Sequence, residues 1–98
     1  MLELAVEFDG GLELLFGNQK QHTLQIDRSD DTISMRELID YLRQNLLQER
    51  PELFVQDDSV CPGILVLIND ADWELEGGLD ATVNTGDTVV FISTLHGG

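Results

Sequence analysis

Ser34-Met35-Arg36-Glu37-Leu38-Ile39-Asp40-Tyr41-Leu42-Arg43-Gln44-Asn45-Leu46 is the stretch on which the fold turns. Ser34 followed by Glu37 matches a capping box, in which each side chain satisfies an orphan backbone donor at a helix start. Met35, Leu38, Ile39, Leu42 and Leu46 recur at helical spacing and form an apolar stripe, while Asp40, Arg43, Gln44 and Gln48 occupy the other side. Pro51 is expected to end or redirect the helix after Arg50, because proline lacks the N–H donor and disfavours helical geometry in the residue before it. No other segment carries this pattern so strongly, so one helix must serve whatever surrounds it.

What surrounds it reads as strands. Upstream, Leu2, Leu4, Val6 and Phe8 alternate with Glu3, Ala5, Glu7 and Asp9, the period of a strand with one buried face. Asp9-Gly10-Gly11 signals a turn, and Leu12, Leu14 and Phe16 continue the alternation as the second strand of a hairpin. Gly17 and Asn18 interrupt it, with a further extended piece over Thr23 to Ile26. Downstream, Glu52 to Gly63 reads as an irregular connection anchored by Phe54 and Val55 and closed by a Cys61-Pro62-Gly63 turn. Ile64-Leu65-Val66-Leu67-Ile68 is an unbroken apolar run bounded by turn formers, expected to be a strand buried on both faces. Asn69-Asp70 turns the chain, Trp73 and Leu75 fit a short edge strand, and Gly77-Gly78 opens a loop. Asn84-Thr85-Gly86-Asp87 then turns into the last strand, Thr88 to Ile92. The order is strand, strand, helix, strand, short strand, strand. Its economical packing is an α+β mixed sheet curled around one main helix, the β-grasp arrangement.

Ninety-eight residues and nine glycines, with 42% hydrophobic content, suit one globular domain. Nineteen acidic residues against five basic ones leave a net charge of −14. That balance repels phosphate backbones, so direct nucleic-acid binding is not expected, and it draws the chain toward basic protein surfaces. Lys20 is the sole lysine, which leaves few amines to compete for an activated acyl group. Cys61 is the sole cysteine, so no internal disulfide forms, and with no basic neighbours in sequence it reads as a structural or incidental thiol rather than a catalytic one. Met1 to Gly10 carries acids and no basic residues, unlike a targeting peptide, and no apolar run reaches membrane-spanning length. A cytoplasmic location and a monomer are the default expectations. His22 and His96 are the only histidines, and neither has a second ligand pattern, so no metal site and no catalytic residue are expected.

Ser93-Thr94-Leu95-His96-Gly97-Gly98 follows the last strand. The expected division is a β-grasp domain over 1–93 and a flexible tail over 94–98 ending in Gly-Gly. Extended, such a segment reaches roughly 20 Å at about 3.5 Å per residue. Glycine has no Cβ, so a terminal Gly97-Gly98 can thread a narrow channel and bring its carboxylate to an activating phosphate.

Leu67-Ile68-Asn69-Asp70-Ala71-Asp72-Trp73-Glu74-Leu75, the Asn84-Thr85-Gly86-Asp87 turn and the Leu95-His96-Gly97-Gly98 ending resemble the eukaryotic ubiquitin-related modifier family. The resemblance spans essentially the whole chain and is most specific in its C-terminal third. It implies a sulfur carrier and protein modifier rather than an enzyme. In that family an E1-like activating enzyme with a rhodanese domain uses ATP to adenylate the terminal glycine, here Gly98. A persulfide sulfur then displaces AMP, so ATP and the persulfide donor belong to the enzyme and the carrier binds no cofactor. The thiocarboxylate serves 2-thiolation of the wobble uridine in cytosolic tRNAs through a tRNA thiolation enzyme complex, and the same terminus becomes attached to lysines of target proteins. Gly97, His96, Leu95 and Thr94 are the expected activating-enzyme recognition residues. His96 stands where ubiquitin has arginine, so the ubiquitin machinery should not accept this tail.

Two other readings stay open at this level. The small subunit of molybdopterin synthase and the thiamin sulfur carrier share the Gly-Gly ending and differ in recipient. A non-covalent ubiquitin-like binding module would use its sheet and leave the tail idle.

Overall fold

A computed structural model describes residues 1–93 of the chain. The strands are β1 (Leu2–Asp9), β2 (Gln21–Ile26), β3 (Thr32–Ser34), β4 (Val55–Gln56), β5 (Ser59–Val60), β6 (Ile64–Ile68), β7 (Ala71–Asp72), β8 (Thr82–Asn84) and β9 (Thr88–Ser93). The α-helix, α1, covers Met35–Asn45. A five-stranded sheet in the order β2-β1-β9-β6-β7 is flanked by the small pairs β3-β8 and β4-β5. β9 lies at its centre, parallel to β1 and antiparallel to β6. This is the β-grasp fold, a mixed sheet around one α-helix.

The capping box forms as the spacing demands: Glu37 N–H donates to Ser34 Oγ, and Ser34 N–H donates to the Glu37 carboxylate. Met35, Leu38, Ile39 and Leu42 are buried against the sheet, and Leu46 packs at the edge of the core. The helix stops at Asn45, well before Pro51. Leu46 and Leu47 N–H both donate to the Leu42 carbonyl, and the five-residue span of the second bond widens the last turn as the chain leaves the helix.

Three expectations are corrected. Leu12–Phe16 is not the second strand but a 3-10 helix. Its buried residues are Leu12, Leu15 and Phe16, a helical spacing, while Leu14 points to solvent. Gly11 at φ 103° and Gly17 at φ 75° bracket it, and the Leu15 carbonyl accepts from Gln48 N–H. The partner of β1 is β2, which places Leu24 opposite Leu4 and Ile26 opposite Leu2. Second, β6 is buried on one face only: Val66 and Ile68 face the core, Leu65 is exposed and Leu67 half-buried. One helix covers one face of a sheet, and nothing among the described residues covers the other. Third, β7 holds only Ala71 and Asp72. Trp73 is buried in a 3-10 helix started by the Asp72 carboxylate, which accepts from Glu74 N–H, and Leu75 is 82% exposed.

The core centres on four phenylalanines. Phe8 stacks on Phe16 at a centroid distance of 3.8 Å, and Phe54 meets Phe16 and Phe91 edge-on at 5.1 and 5.5 Å. Such pairs add about 0.5–1.5 kcal/mol each beyond simple burial. The expected anchor Phe54 is thus fully buried from within an otherwise short-stranded connection. Among the described residues, no helix is long and apolar enough to cross a membrane.

Candidate functional site

Thr94, Leu95, His96, Gly97 and Gly98, the residues singled out from the sequence, lie outside the described residues. The structure shows the strand that delivers them and the surface beside it. At its start, β9 is clamped by a polar network. Asn69 Nδ2 donates to Asp87 Oδ1 at 3.0 Å, and Asn69 Oδ1 accepts from Thr88 N–H at 2.9 Å. Asp87 Oδ2 accepts from Asn84 N–H at 2.8 Å, and Asp87 N–H closes the turn onto the Asn84 carbonyl at 3.0 Å. The same turn grips β1: Gly86 N–H donates to the Glu3 carbonyl at 2.7 Å, and Thr85 Oγ1 accepts from Glu3 N–H at 3.0 Å. Asn69 and Asp70 turn with φ of 50° and 70°, a left-handed pair that asparagine and aspartate tolerate. The internal motifs that carry the family resemblance therefore hold two distant segments together. They lie at the opposite end of β9 from the tail, about 17 Å from Ser93 at about 3.3 Å per strand residue.

At its finish, Ser93 pairs with Ile64 and lies against the β1 turn. A Cβ placed on Gly10 would stand 2.3 Å from the Ser93 carbonyl oxygen, and Gly10 has φ 71°. Glycine there is required twice, for the left-handed turn and for the close approach of the strand that leads to the tail.

Beside this exit, on the face away from α1, the register sets Leu65 opposite Ile92 and Leu67 opposite Val90. Leu65 is 37% exposed and the other three are half-buried. This apolar strip continues across β1 into acid, since Val90 neighbours Glu7 and Ile92 neighbours Asp9. The Asp9 carboxyl beside it raises the pKa of Glu7, and Lys20 Nζ sits 3.9 Å from Asp9. An apolar strip bordered by carboxylates suits a partner surface that is apolar at its centre and basic at one margin. Sequence reading missed it by assigning Leu65 and Leu67 to a doubly buried strand. The signal was available, because a single amphipathic helix leaves one sheet face uncovered.

The other candidates are structural. His22 packs edge-on against Phe8, and its Nε2 lies 2.9 Å from the Gln19 carbonyl, which can only accept, so the ring donates. Cys61 is half-buried, and its thiol donates to the Glu52 carbonyl at 3.2 Å. Burial, and then the nearby Glu52 charge, push its pKa above the ordinary 9.0, which keeps the thiol protonated and a poor nucleophile. Among the described residues, no cluster of three or more His, Cys, Asp and Glu side chains is arranged to hold a metal ion.

A family model described as Urm1 (Ubiquitin related modifier) matches residues 3–98. "Ubiquitin-related modifier 1 homolog" of Chlamydomonas reinhardtii is 56% identical and covers 100% of both chains. "Ubiquitin-related modifier 1" of Homo sapiens is 56% identical over 99% of this chain and 96% of its own length. The solution structure of Urm1 from Trypanosoma brucei superposes with a TM-score of 0.84 at 44% identity, over 98% of this chain and 95% of that one. With the fold, the internal motifs and the Gly-Gly ending all inside the matched span, the chain belongs to the ubiquitin-related modifier family.

Proposed function

We propose that this chain is a ubiquitin-like sulfur carrier and protein modifier whose reacting group is the Gly98 carboxylate. The supporting observation is the full-length family match, which runs through Gly98. In this reading an E1-like enzyme with a rhodanese domain adenylates Gly98, with pyrophosphate leaving ATP. The enzyme's persulfide displaces AMP, and thiol reduction of the acyl disulfide leaves the thiocarboxylate. The carrier passes sulfur to a tRNA thiolation enzyme complex for the wobble uridine of cytosolic tRNAs, and its terminus also acylates lysines of target proteins. The domain contributes position: Gly10 and the Asn69–Asp87 clamp hold β9 at its two ends, and the Leu65/Leu67/Val90/Ile92 strip offers a surface continuous with the strand entering the tail. Thr94, Leu95, His96 and Gly97 pass the enzyme's entrance ahead of Gly98. ATP and the persulfide are bound by the enzyme, and the site of action is cytoplasmic.

The test is an organomercury gel on the Cys61→Ser variant incubated with the E1-like enzyme, ATP and a persulfide donor. Removing the native thiol leaves a thiocarboxylate as the carrier's sulfur nucleophile. A retarded band that needs ATP and vanishes when Gly98 is deleted is the expected result. No retardation, with the enzyme shown active on another carrier, would favour a non-covalent binding module instead.

A further inference from the structure

The free edge of the five-stranded sheet carries a second site, independent of the tail. Phe8 N–H donates to the Lys20 carbonyl, which sets the β1–β2 phase: Leu2, Leu4, Val6 and Phe8 exchange bonds with β2, while Glu3 and Ala5 bond the β9 side. The register then turns the backbone groups of His22, Leu24 and Ile26 toward β1, and those of Gln21, Thr23 and Gln25 outward. Gln19 Nε2 takes the Gln21 carbonyl at 2.7 Å. The N–H and C=O of Thr23 and Gln25 have no partner among the described residues.

Edges of this kind are usually blunted by lysine, proline, a bulge, an inward charge or very short length. The opposite edge follows the rule, since β7 has two residues and runs into a 3-10 helix. β2 does not: Gln21-His22-Thr23-Leu24-Gln25-Ile26 has no charged residue and no proline and pairs in unbroken register.

Where β2 ends, a groove of about 250 Å³ opens between it and α1, with Ile26 and Ile33 beneath and Tyr41 on its helical wall. Glu37 and Asp40 line the same wall, and Asp27, Asp30 and Asp31 lie in the segment after β2. The cation here, Arg28, is engaged by Glu37 at 3.5 Å and Asp30 at 3.8 Å. With a net charge of −14, two copies of this chain repel each other across such an edge, while a basic segment is drawn to it.

We propose that β2 is a docking edge for an extended, basic-flanked peptide segment of a partner protein. The segment adds as a sixth strand, its main chain bonding the outward groups of Thr23 and Gln25. Alternate apolar side chains enter the groove over Ile26, Ile33 and Tyr41, and its flanking lysines or arginines meet the Asp27–Asp31 segment, Glu37 and Asp40.

The probe is a short synthetic peptide of alternating valine and threonine with a lysine pair at each end, titrated into the full isotope-labelled chain. Expected are saturable amide shifts centred on Gln21, Thr23, Gln25 and the groove, slowed hydrogen exchange at Thr23 and Gln25, and affinity that falls as salt rises. Replacing the lysines with glutamates should abolish binding. Thr23→Pro removes an outward N–H without touching the ladder to β1, and should weaken binding by about tenfold or more. If that variant does not fold, the exchange rates of the unaltered chain decide alone. Shifts centred on the larger groove between Arg36, Arg43 and Val55, or on the Leu65–Ile92 strip, would overturn the proposal. So would absence of saturation, or concentration-dependent pairing of β2 with itself when no peptide is present.

Discussion

The two ends of β9 are built from different materials. The Thr88 end is held by directional polar contacts among Asn69, Asn84, Thr85 and Asp87 that reach across to Glu3. The Ser93 end pairs with Ile64 and passes close against Gly10, whose missing Cβ makes room for it, beside an apolar strip on the face away from α1. On the proposed function, the difference separates what fixes the strand from what presents it: directional contacts specify register where the chain must not slip, and the exit offers an open surface to the activating enzyme. The same division runs across the strand, since Phe91 is fully buried while its neighbour Ile92 turns to the open face.

Neighbouring substitutions test that division most strongly. Phe91→Ala removes a ring packed against Phe8 and Phe54 and should cost about 3–5 kcal/mol in denaturant unfolding. For a domain with about 5–15 kcal/mol in total, that is a large share. Ile92→Ala should cost about 1 kcal/mol or less, a fall of a few degrees in melting temperature, yet on the proposed function it should slow charging by the E1-like enzyme. Equal stability losses at the two positions would mean that the outer face is structural after all.

The exit itself gives a middle-sized effect. Gly10→Ala drives a methyl into the Ser93 carbonyl at a positive φ, and should destabilise by about 1–3 kcal/mol. Gly11→Ala serves as the control. It shares the positive φ but meets no atom within 4 Å, so thermal denaturation should show the smaller loss. If the two match, backbone conformation and not close approach is what Gly10 supplies.

Acid titration gives the smallest effect, away from β9. The hydrogen bond from Ser34 N–H, with help from the Ser34 hydroxyl and Arg28, lowers the Glu37 pKa below its ordinary 4.5. A carboxyl depressed in the folded state stabilises at pH values above 4.5, and that contribution is lost as pH falls through the lowered value. Glu37→Gln preserves the capping geometry but cannot titrate. It should lose less stability than the parent chain between neutral pH and pH below 4.5, as measured by urea unfolding at each pH.

The helix was legible because its cap and stripe are local: Ser34, Glu37, Met35, Leu38, Ile39 and Leu42 lie within a few turns of one another. The Asn84–Asp87 turn and the β1 alternation were legible for the same reason. Leu12–Phe16 was misread because a short apolar run fits a strand and a turn of helix alike. Only the positions of Gly11, Gly17 and Gln48 in space decide between them. Leu65 and Leu67 were misplaced because an unbroken apolar run has no period from which to read a face.

The sequence by itself determined the class of fold, one helix serving a mixed sheet, and pointed to Gly98 as the candidate reacting group. Both follow from local periodicity and from the chemistry of a glycine ending, which do not depend on what lies across the sheet. Only the tertiary structure decided that β2 rather than Leu12–Phe16 pairs with β1, that Asn69 reaches Asp87, and which face of β6 and β9 stays open. Those outcomes rest on contacts between residues far apart in the chain, where burial and hydrogen-bond satisfaction are settled by the assembled whole.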